Sequence, residues 1–281
     1  MKKLKHIYFE LTNICDRKCS FCPPVERPRL YMKKTEAFRY LEQSAEWTDA
    51  VYWHLQGEPL LHPDFREITE YAKSLGLVLK LTTNASHLFQ YREHLLSGIF
   101  SQINFSMQSL NEVQSEERER VRNDIADFTE EALQKCPEMY LNFRWWQDSP
   151  PEVDYFAQRF GIPPDHWYPI PGRKNRRITG RLFSHFDGIF EWPGITQEER
   201  KNGDAGYCYG LISHCGILCD GRVVPCCLDS QGGLALGDLH EQTLTEILTS
   251  PLAKKIEEGF RRKCRIMKQC RNCGYASRFD S

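Results

Sequence analysis

The sequence predicts an α/β protein, an incomplete (β/α)6 barrel followed by a small cysteine-rich α+β domain. Three observations predict it. Short β-branched and aromatic runs alternate with amphipathic helical stretches from residue 7 to about residue 160. Each run leads into a polar or glycine-containing loop that carries the unusual residues, as expected where parallel sheets build sites beyond the carboxyl ends of their strands. Eight of the twelve cysteines fall between 208 and 273, after the alternation has ceased.

The first run, Ile7–Leu11, ends at Thr12-Asn13 and feeds a loop containing Cys15, Cys19 and Cys22. Thr35 is a suitable N-cap for a helix with Phe38, Leu41 and Ala45 on one face. The second run, Ala50–Leu55, leads into Gln56-Gly57-Glu58-Pro59, with His54 and His62 flanking that loop. Asp64 opens a helix that turns Phe65, Ile68, Ala72 and Leu75 inward, and Gly76 stops it. The alternation continues through a strand at Leu77–Leu81, the loop Thr82-Thr83-Asn84, a helix near 87–97, a strand at Gln102–Ser106 and a charged helix near 111–135. It closes with a strand at Met139–Trp146, a helix at about 152–160 and a short strand around Trp167–Pro169.

Proline, glycine and basic residues then break the pattern, in Pro171-Gly172, Arg173–Arg177, Gly180 and Trp192-Pro193-Gly194. We divide the chain into a barrel at 1–170, a linker at 171–206 that is placed to cap the barrel mouth, and a cysteine-rich domain at 207–281. His185, Asp187 and Glu191 in the linker are candidates for substrate contact. In the last domain, Ile217–Cys226 reads as a hairpin with Asp220-Gly221 at its turn, and a helical stretch covers about 243–262.

Composition bounds the function. With 37 Lys plus Arg against 38 Asp plus Glu, no global field draws the chain to nucleic acid or an anionic membrane. No apolar run approaches the roughly 18–20 residues of a membrane helix, and the start carries no signal peptide, so a cytoplasmic location is expected. In a reducing compartment twelve cysteines read as metal ligands rather than disulfides. Three thiolates in eight residues suit either a zinc knuckle completed from elsewhere or a cubane iron–sulfur cluster with one iron left open.

The loop Cys15-x3-Cys19-x2-Cys22 resembles the radical S-adenosylmethionine (radical SAM) superfamily, and three further features in order strengthen the resemblance. Phe21 stands where that family places an aromatic against the adenine. Gln56-Gly57-Glu58-Pro59 is similar to the Gly-Gly-Glu-Pro loop that receives the SAM amino group, with glutamine in place of the first glycine. Leu81–Asn84 and Ile103–Met107 resemble the third and fourth strand ends, which implies that Asn84 and Ser106 approach the carboxylate or ribose, with Arg144 a further candidate.

Cys208-x12-Gly221-x4-Cys226 followed by Cys270-x2-Cys273 resembles the SPASM/twitch class of auxiliary-cluster domain. A full SPASM domain carries a longer cysteine series, so the one-cluster twitch is the better match. The resemblance implies Cys208, Cys226, Cys270 and Cys273 as auxiliary ligands, with Cys264 the alternative, whereas a zinc ribbon fits the same spacing. Cys136 reads as a buried small hydrophobe, and Cys215, Cys219 and Cys227 as hairpin residues.

The implied fold is a partial TIM-like barrel, and the implied cofactors are two 4Fe–4S clusters and SAM, with an electron donor such as flavodoxin or ferredoxin. A 5′-deoxyadenosyl radical then takes a hydrogen atom from a substrate. The first expectation is a small polar metabolite, an aminocyclitol or a modified deazapurine base such as queuine, undergoing oxidation or fragmentation. The chain begins fourteen residues before Cys15, which leaves no room for a leader-binding domain. The second is a peptide maturase with a separate recognition partner, for which Phe143–Trp146 and His166–Tyr168 offer stacking surfaces. The third is a non-catalytic zinc protein whose basic residues at 173–181 bind nucleic acid, although such a run is more often a solvated loop.

Overall fold

A computed structural model describes residues 4–146, 150–193 and 204–279. In chain order it contains β1 (His6–Phe9), α1 (Lys34–Ala45), β2 (Ala50–Trp53), α2 (Phe65–Ser74), β3 (Val78–Thr83) and α3 (Arg92–Leu96). Next come β4 (Phe100–Ser106), α4 (Ser115–Lys135), β5 (Tyr140–Trp145), α5 (Glu152–Phe160), β6 (Asn175–Thr179) and β7 (Leu182–Phe186). The chain continues with β8 (His214–Ile217), β9 (Arg222–Val224), β10 (Gly237–Asp238), α6 (Leu244–Leu248), α7 (Pro251–Arg261) and α8 (Lys268–Arg271). The fold is the α/β fold expected, with mostly parallel strands. Among the described residues no helix is long and apolar enough to cross a membrane.

The chain forms two compact units that cross the sequence boundaries at 170/171 and 206/207. One unit holds residues 1–14, 23–78 and 190–281, and the other residues 15–22 and 79–189. In the first, the strand order is β10-β9-β8-β1-β2, with β1 parallel to both β2 and β8 and with β9 antiparallel to both β8 and β10. Alternation assigns the faces of β1 and β2. Ile7, Phe9, Val51 and Trp53 are buried, and the Phe9 and Trp53 rings meet edge-on at 5.3 Å, while His6, Tyr8 and Tyr52 line the other face. The hairpin expected around Asp220-Gly221 is present. Gly221 has φ +84, which a residue with a Cβ adopts only under strain, and its N–H closes the turn onto Leu218 O at 2.9 Å.

In the second unit the order is β3-β4-β5-β7-β6, with β3, β4, β5 and β7 parallel and β6 antiparallel at the edge. The short strand expected at Trp167–Pro169 does not form. Pro163-Pro164 bends the chain into a 3-10 turn over Pro164–His166, and the fully buried Trp167 ring packs against Phe143, Phe156 and Phe160 at 5.8–6.1 Å. The strand beside β5 is instead Leu182–Phe186, within the stretch read as a linker, where Leu182, Ser184 and Phe186 alternate inward. Gly194 and residues through 203 lie outside the described residues.

Smaller differences have local causes. α1 begins at Lys34, so Thr35 lies in its first turn and does not cap it. Asp64 precedes α2 without a side-chain cap bond. The helix expected near 87–97 is a 3-10 turn at Phe89–Tyr91 followed by α3, and residues 107–112 form 3-10 turns that delay α4 to Ser115. The stretch 243–262 is two helices. Thr243 and Glu246 form a reciprocal capping box on α6, and Ser250 caps α7 with Pro251 at its first position. Cys136 is the C-cap residue of α4, half-buried, with its thiol on Leu96 O at 3.0 Å.

Four of the five basic residues at 173–181 have protein partners. Lys174 pairs with Asp187 at 2.7 Å, Arg176 donates to Asp165 O and Tyr168 O, Arg177 donates to Gly180 O at 2.7 Å, and Arg181 pairs with Glu138. These contacts fold an edge hairpin rather than leave a free cationic strip. His185, on β7, contacts Asn175 and lies 4.0 Å from Asp187, so both are half of the same hairpin network.

Candidate active site and cluster-binding cysteines

The three-cysteine loop is held by side chains that the spacing of its cysteines does not reveal. Asp16 accepts from Asn84 Nδ2 at 3.0 Å and lies 3.4 Å from His87. Burial pushes the Asp16 carboxyl up, but hydrogen bonds from Ser86 and Asn84 outweigh it and hold the group below the ordinary value. Arg17 is buried, donates to both Ser109 O and Ser109 Oγ at 2.9 Å, and reaches Glu117 at 3.7 Å. Ser20 donates to Glu112 at 2.7 Å, and the Phe21 ring meets Trp146 edge-on at 5.2 Å.

The thiols are close to one another and bathed in donors. Cys15 Sγ accepts from the Arg17 N–H at 3.5 Å and from Asn84 Nδ2 at 3.6 Å. Cys19 and Cys22 hydrogen-bond each other, which lowers the Cys19 thiol and raises that of Cys22, and Arg17 lowers Cys19 further. Three soft donors, with an arginine beside them to favour the thiolate form, fit a thiolate-ligated cluster.

Gln56, Gly57 and Glu58 form a loop clamped against the end of β1. Gly57 has φ +73, and a Cβ there would stand 2.2 Å from Thr12 O and 2.8 Å from Ile14 O. Only glycine fits. The Glu58 N–H donates to Ile14 O at 2.9 Å, and the buried Glu58 carboxylate accepts from the Leu60 N–H at 3.1 Å, capping a 3-10 turn at Pro59–Leu61. Glu58 thus shapes the loop through backbone contacts. Gln56 Nε2 points to Pro23 O at 3.3 Å. His62 is also structural, with Nε2 at 2.8 Å from Met32 O and Nδ1 accepting from the Asp64 N–H.

Among the strand ends of the other unit, Ser106 and Arg144 are register partners at the ends of β4 and β5, both half-buried. Asn84 follows β3, with Oδ1 accepting from the Ser86 N–H at 2.8 Å and Nδ2 turned to Cys15 and Asp16. The structure therefore joins Asn84 to the cysteine loop, Phe21 to Trp146, and Ser106 to Arg144.

Cys208, Cys226, Cys270 and Cys273 lie within electrostatic reach of one another. Burial first raises the thiols of Cys208, Cys226 and Cys270, and mutual repulsion among the four raises them again, with Cys227 and Asp229 adding to it. Four soft thiol donors within electrostatic reach of one another suit a thiolate-ligated cluster in their chemistry, although among the described residues they do not stand at ligating distance of a single ion. Cys264 takes a different course, its N–H on Gly259 O at 2.8 Å and its backbone bridged to Ala205. Cys215 and Cys219 are buried.

Glu10, Arg17 and Arg27 were not singled out from the sequence. Their one available signal is that each charged residue flanks the cysteine loop, and only folding shows that all three are buried.

Comparison with known proteins finds two domain families in the chain. Residues 9–143 match the Radical SAM superfamily, and residues 208–274 match SPASM, an iron-sulfur cluster-binding domain. A curated protein of Flammeovirga pacifica, an S-adenosylmethionine-dependent nucleotide dehydratase, is 29% identical over 89 residues, covering 29% of this chain and 31% of that protein. The match thus spans less than a third of that relative. Among solved structures, BtrN in complex with AdoMet and 2-DOIA is similar at a TM-score of 0.60 and 14% identity, covering 97% of this chain and 94% of that one. Streptococcus suis SuiB bound to precursor peptide SuiA reaches a TM-score of 0.63 at 15% identity, covering 98% of this chain and 72% of that one.

Proposed function

The chain belongs to the radical SAM superfamily and carries a SPASM-type iron–sulfur domain, and from that premise we propose an enzyme acting on a small, ring-shaped polar metabolite. In this reading Cys15, Cys19 and Cys22 hold the SAM-binding 4Fe–4S cluster and leave one iron open. Gln56, Gly57 and Glu58 present the loop that receives the SAM amino group, Phe21 lies against the adenine, and Asn84, Ser106 and Arg144 take the carboxylate and ribose. Cys208, Cys226, Cys270 and Cys273 hold an auxiliary 4Fe–4S cluster. When bound, these groups supply a 5′-deoxyadenosyl radical that removes a hydrogen atom from the substrate and a one-electron acceptor for the substrate radical.

The observation that carries the substrate class is a face of rings in the first unit. His6 stands 4.8 Å from Tyr8, 4.6 Å from Tyr52 and 5.4 Å from His214, and Tyr8 stands 5.4 Å from Tyr52 and 6.1 Å from His54. All five are half-buried rather than sealed in the core. Burial, and then His6, push His214 down to about 3, so its imidazole is neutral at physiological pH. Such a face stacks on a ring and exchanges hydrogen bonds with its hydroxyl, amine or amide groups. Tyr8 also hydrogen-bonds Cys227, next to the ligand Cys226. An aminocyclitol or a deazapurine such as queuine matches this chemistry, and the nucleotide dehydratase and the BtrN complex support a small-molecule reading.

The test supplies reconstituted enzyme with SAM, reductant and separate panels of aminocyclitols, deazapurines, nucleotides and ribosomal peptides. We expect 5′-deoxyadenosine and a substrate-derived product in equal amounts from a ring-bearing metabolite, measured by mass spectrometry. Turnover of peptides alone would replace this reading with peptide maturation, in line with the SuiB likeness.

His214 gives a pH expectation. Its value in the fold, about 3, lies below the ordinary 6.5, so the unfolded chain binds the extra proton. The stability this neutral ring confers is full above about pH 6.5 and declines as pH falls towards 3. Between about pH 7.5 and about pH 5.5 the thermal midpoint of the protein should fall more steeply than that of His214→Gln, followed by circular dichroism.

A further inference from the structure

The buried pair Glu10–Arg27 stands where three segments of the first unit converge. Glu10 follows β1 and is 1% exposed. Its carboxylate accepts two bonds from Arg27 Nη2 at 2.8 Å each, one from the Cys219 N–H at 2.9 Å and one from the Gln56 N–H at 3.3 Å. Arg27 spends its other donors on the cysteine-rich domain, with Nε on Ser230 O at 2.8 Å and Nη1 on Asp220 Oδ2 at 3.3 Å and Cys219 Sγ at 3.7 Å. Neighbouring contacts run the same way. Gln231 accepts from the Glu26 N–H at 3.2 Å and donates to Pro24 O at 2.5 Å.

One carboxylate therefore orients the loop proposed to receive SAM, through the Gln56 N–H, and the turn of the auxiliary-domain hairpin, through the Cys219 N–H. Arg27 Nη2 bridges both carboxylate oxygens while Nη1 and Nε are held by Asp220 and Ser230, so the guanidinium ties the carboxylate to the auxiliary domain through all three nitrogens. A buried ion pair is weak evidence for stability by itself, because desolvation offsets its attraction. Its geometry instead specifies how the partners sit, and every donor around Glu10 belongs to a segment next to one of the two proposed cofactor sites.

We propose that Glu10 and Arg27 are positioning residues that couple the SAM-binding loop to the auxiliary-cluster domain. The inference rests on the reading of Gln56–Pro59 as the SAM loop. A shift of either charged group moves the Gln56 and Cys219 amides together, so SAM affinity and the auxiliary-cluster environment change in concert. Lysine at 27 keeps the charge but has one nitrogen in place of three, so it cannot hold Glu10, Asp220 and Ser230 at once.

The experiment compares reconstituted wild type with Arg27→Lys, Glu10→Gln and the double variant Glu10→Gln/Arg27→Met. SAM affinity is read from the change that SAM produces in the electron paramagnetic resonance signal of the reduced enzyme, and the auxiliary-cluster potential from a redox titration followed by the same signal. Arg27→Lys and Glu10→Gln should retain full iron, weaken SAM roughly tenfold or more and shift the auxiliary potential, with the double variant weaker by less than the product of the single effects. Wild-type affinity and potential in both single variants would overturn the coupling, as would a double variant whose effects simply multiply. If both single variants lose iron, a double variant that keeps iron and binds SAM weakly supports the proposal, and one without iron reduces the pair to scaffold. Failure of wild type to bind SAM would instead remove the loop reading, and unchanged auxiliary potential in the variants would then overturn the coupling as well.

Discussion

Replacing Gly57 with alanine is expected to weaken SAM binding by roughly 100-fold or more, equivalent to about 3 kcal/mol. The new Cβ would lie 2.2 Å from Thr12 O and 2.8 Å from Ile14 O, and both obstacles are backbone, so no side-chain rotation relieves the overlap. The loop must move away from the strand end, breaking the bond from the Glu58 N–H to Ile14 O and shifting the Gln56 amide off Glu10. Gly76→Ala is the matched comparison. Gly76 has a similar φ of +79, but nothing lies within 4 Å of its would-be Cβ. Its alanine variant should lose only the left-handed penalty, about 1 kcal/mol of stability, and bind SAM as wild type does. Equilibrium binding and thermal melts of both variants separate the two terms, and wild-type SAM affinity in Gly57→Ala would refute the placement of SAM at this loop.

Cys226→Ala and Cys270→Ala should each lower the iron content from about eight to about four atoms per chain, because a cluster held by four thiolates is not retained by three in this buried setting. Both thiols are raised by burial and by neighbouring cysteines, which supports placing them in one proposed site. Reductive cleavage of SAM should persist, with 5′-deoxyadenosine released but substrate product lost. Cys136→Ala should keep full iron, since its thiol is bonded to Leu96 O, and Cys264→Ala should keep it if the proposed ligand set is right. Iron and sulfide analysis with a product assay checks all four variants. Retention of about eight irons by Cys226→Ala and their loss in Cys264→Ala would move the ligand set to Cys264.

The two classes of feature differ in how far local sequence specifies them. The cysteine spacings, the alternation of strand and helix, the glycine of the Gln56–Pro59 loop and the Asp220-Gly221 turn were legible because each depends on a few adjacent residues. α5 was found at its true limits for the same reason, its period being complete within Glu152–Phe160. Leu182–Phe186 was missed because five residues beside a basic, glycine-flanked run carry too little periodicity, and only pairing with β5 makes them a strand. The strand around Trp167–Pro169 was misread, although core packing of Trp167 was the favoured reading of its side chain, because Pro163-Pro164 turns the chain there.

The sequence by itself determined which chemistries are present: soft thiolates in two sets, a glycine loop, and a basic run too short to define a surface. Tertiary structure decided which groups meet. It brought Cys208, Cys226, Cys270 and Cys273 within electrostatic reach of one another from a span of 66 residues, gave most of the basic run carbonyl and carboxylate partners, and buried Glu10 against Arg27. Those outcomes depend on contacts between residues far apart in the chain, whose geometry is set by strand register and burial, and neither spacing nor composition encodes that register.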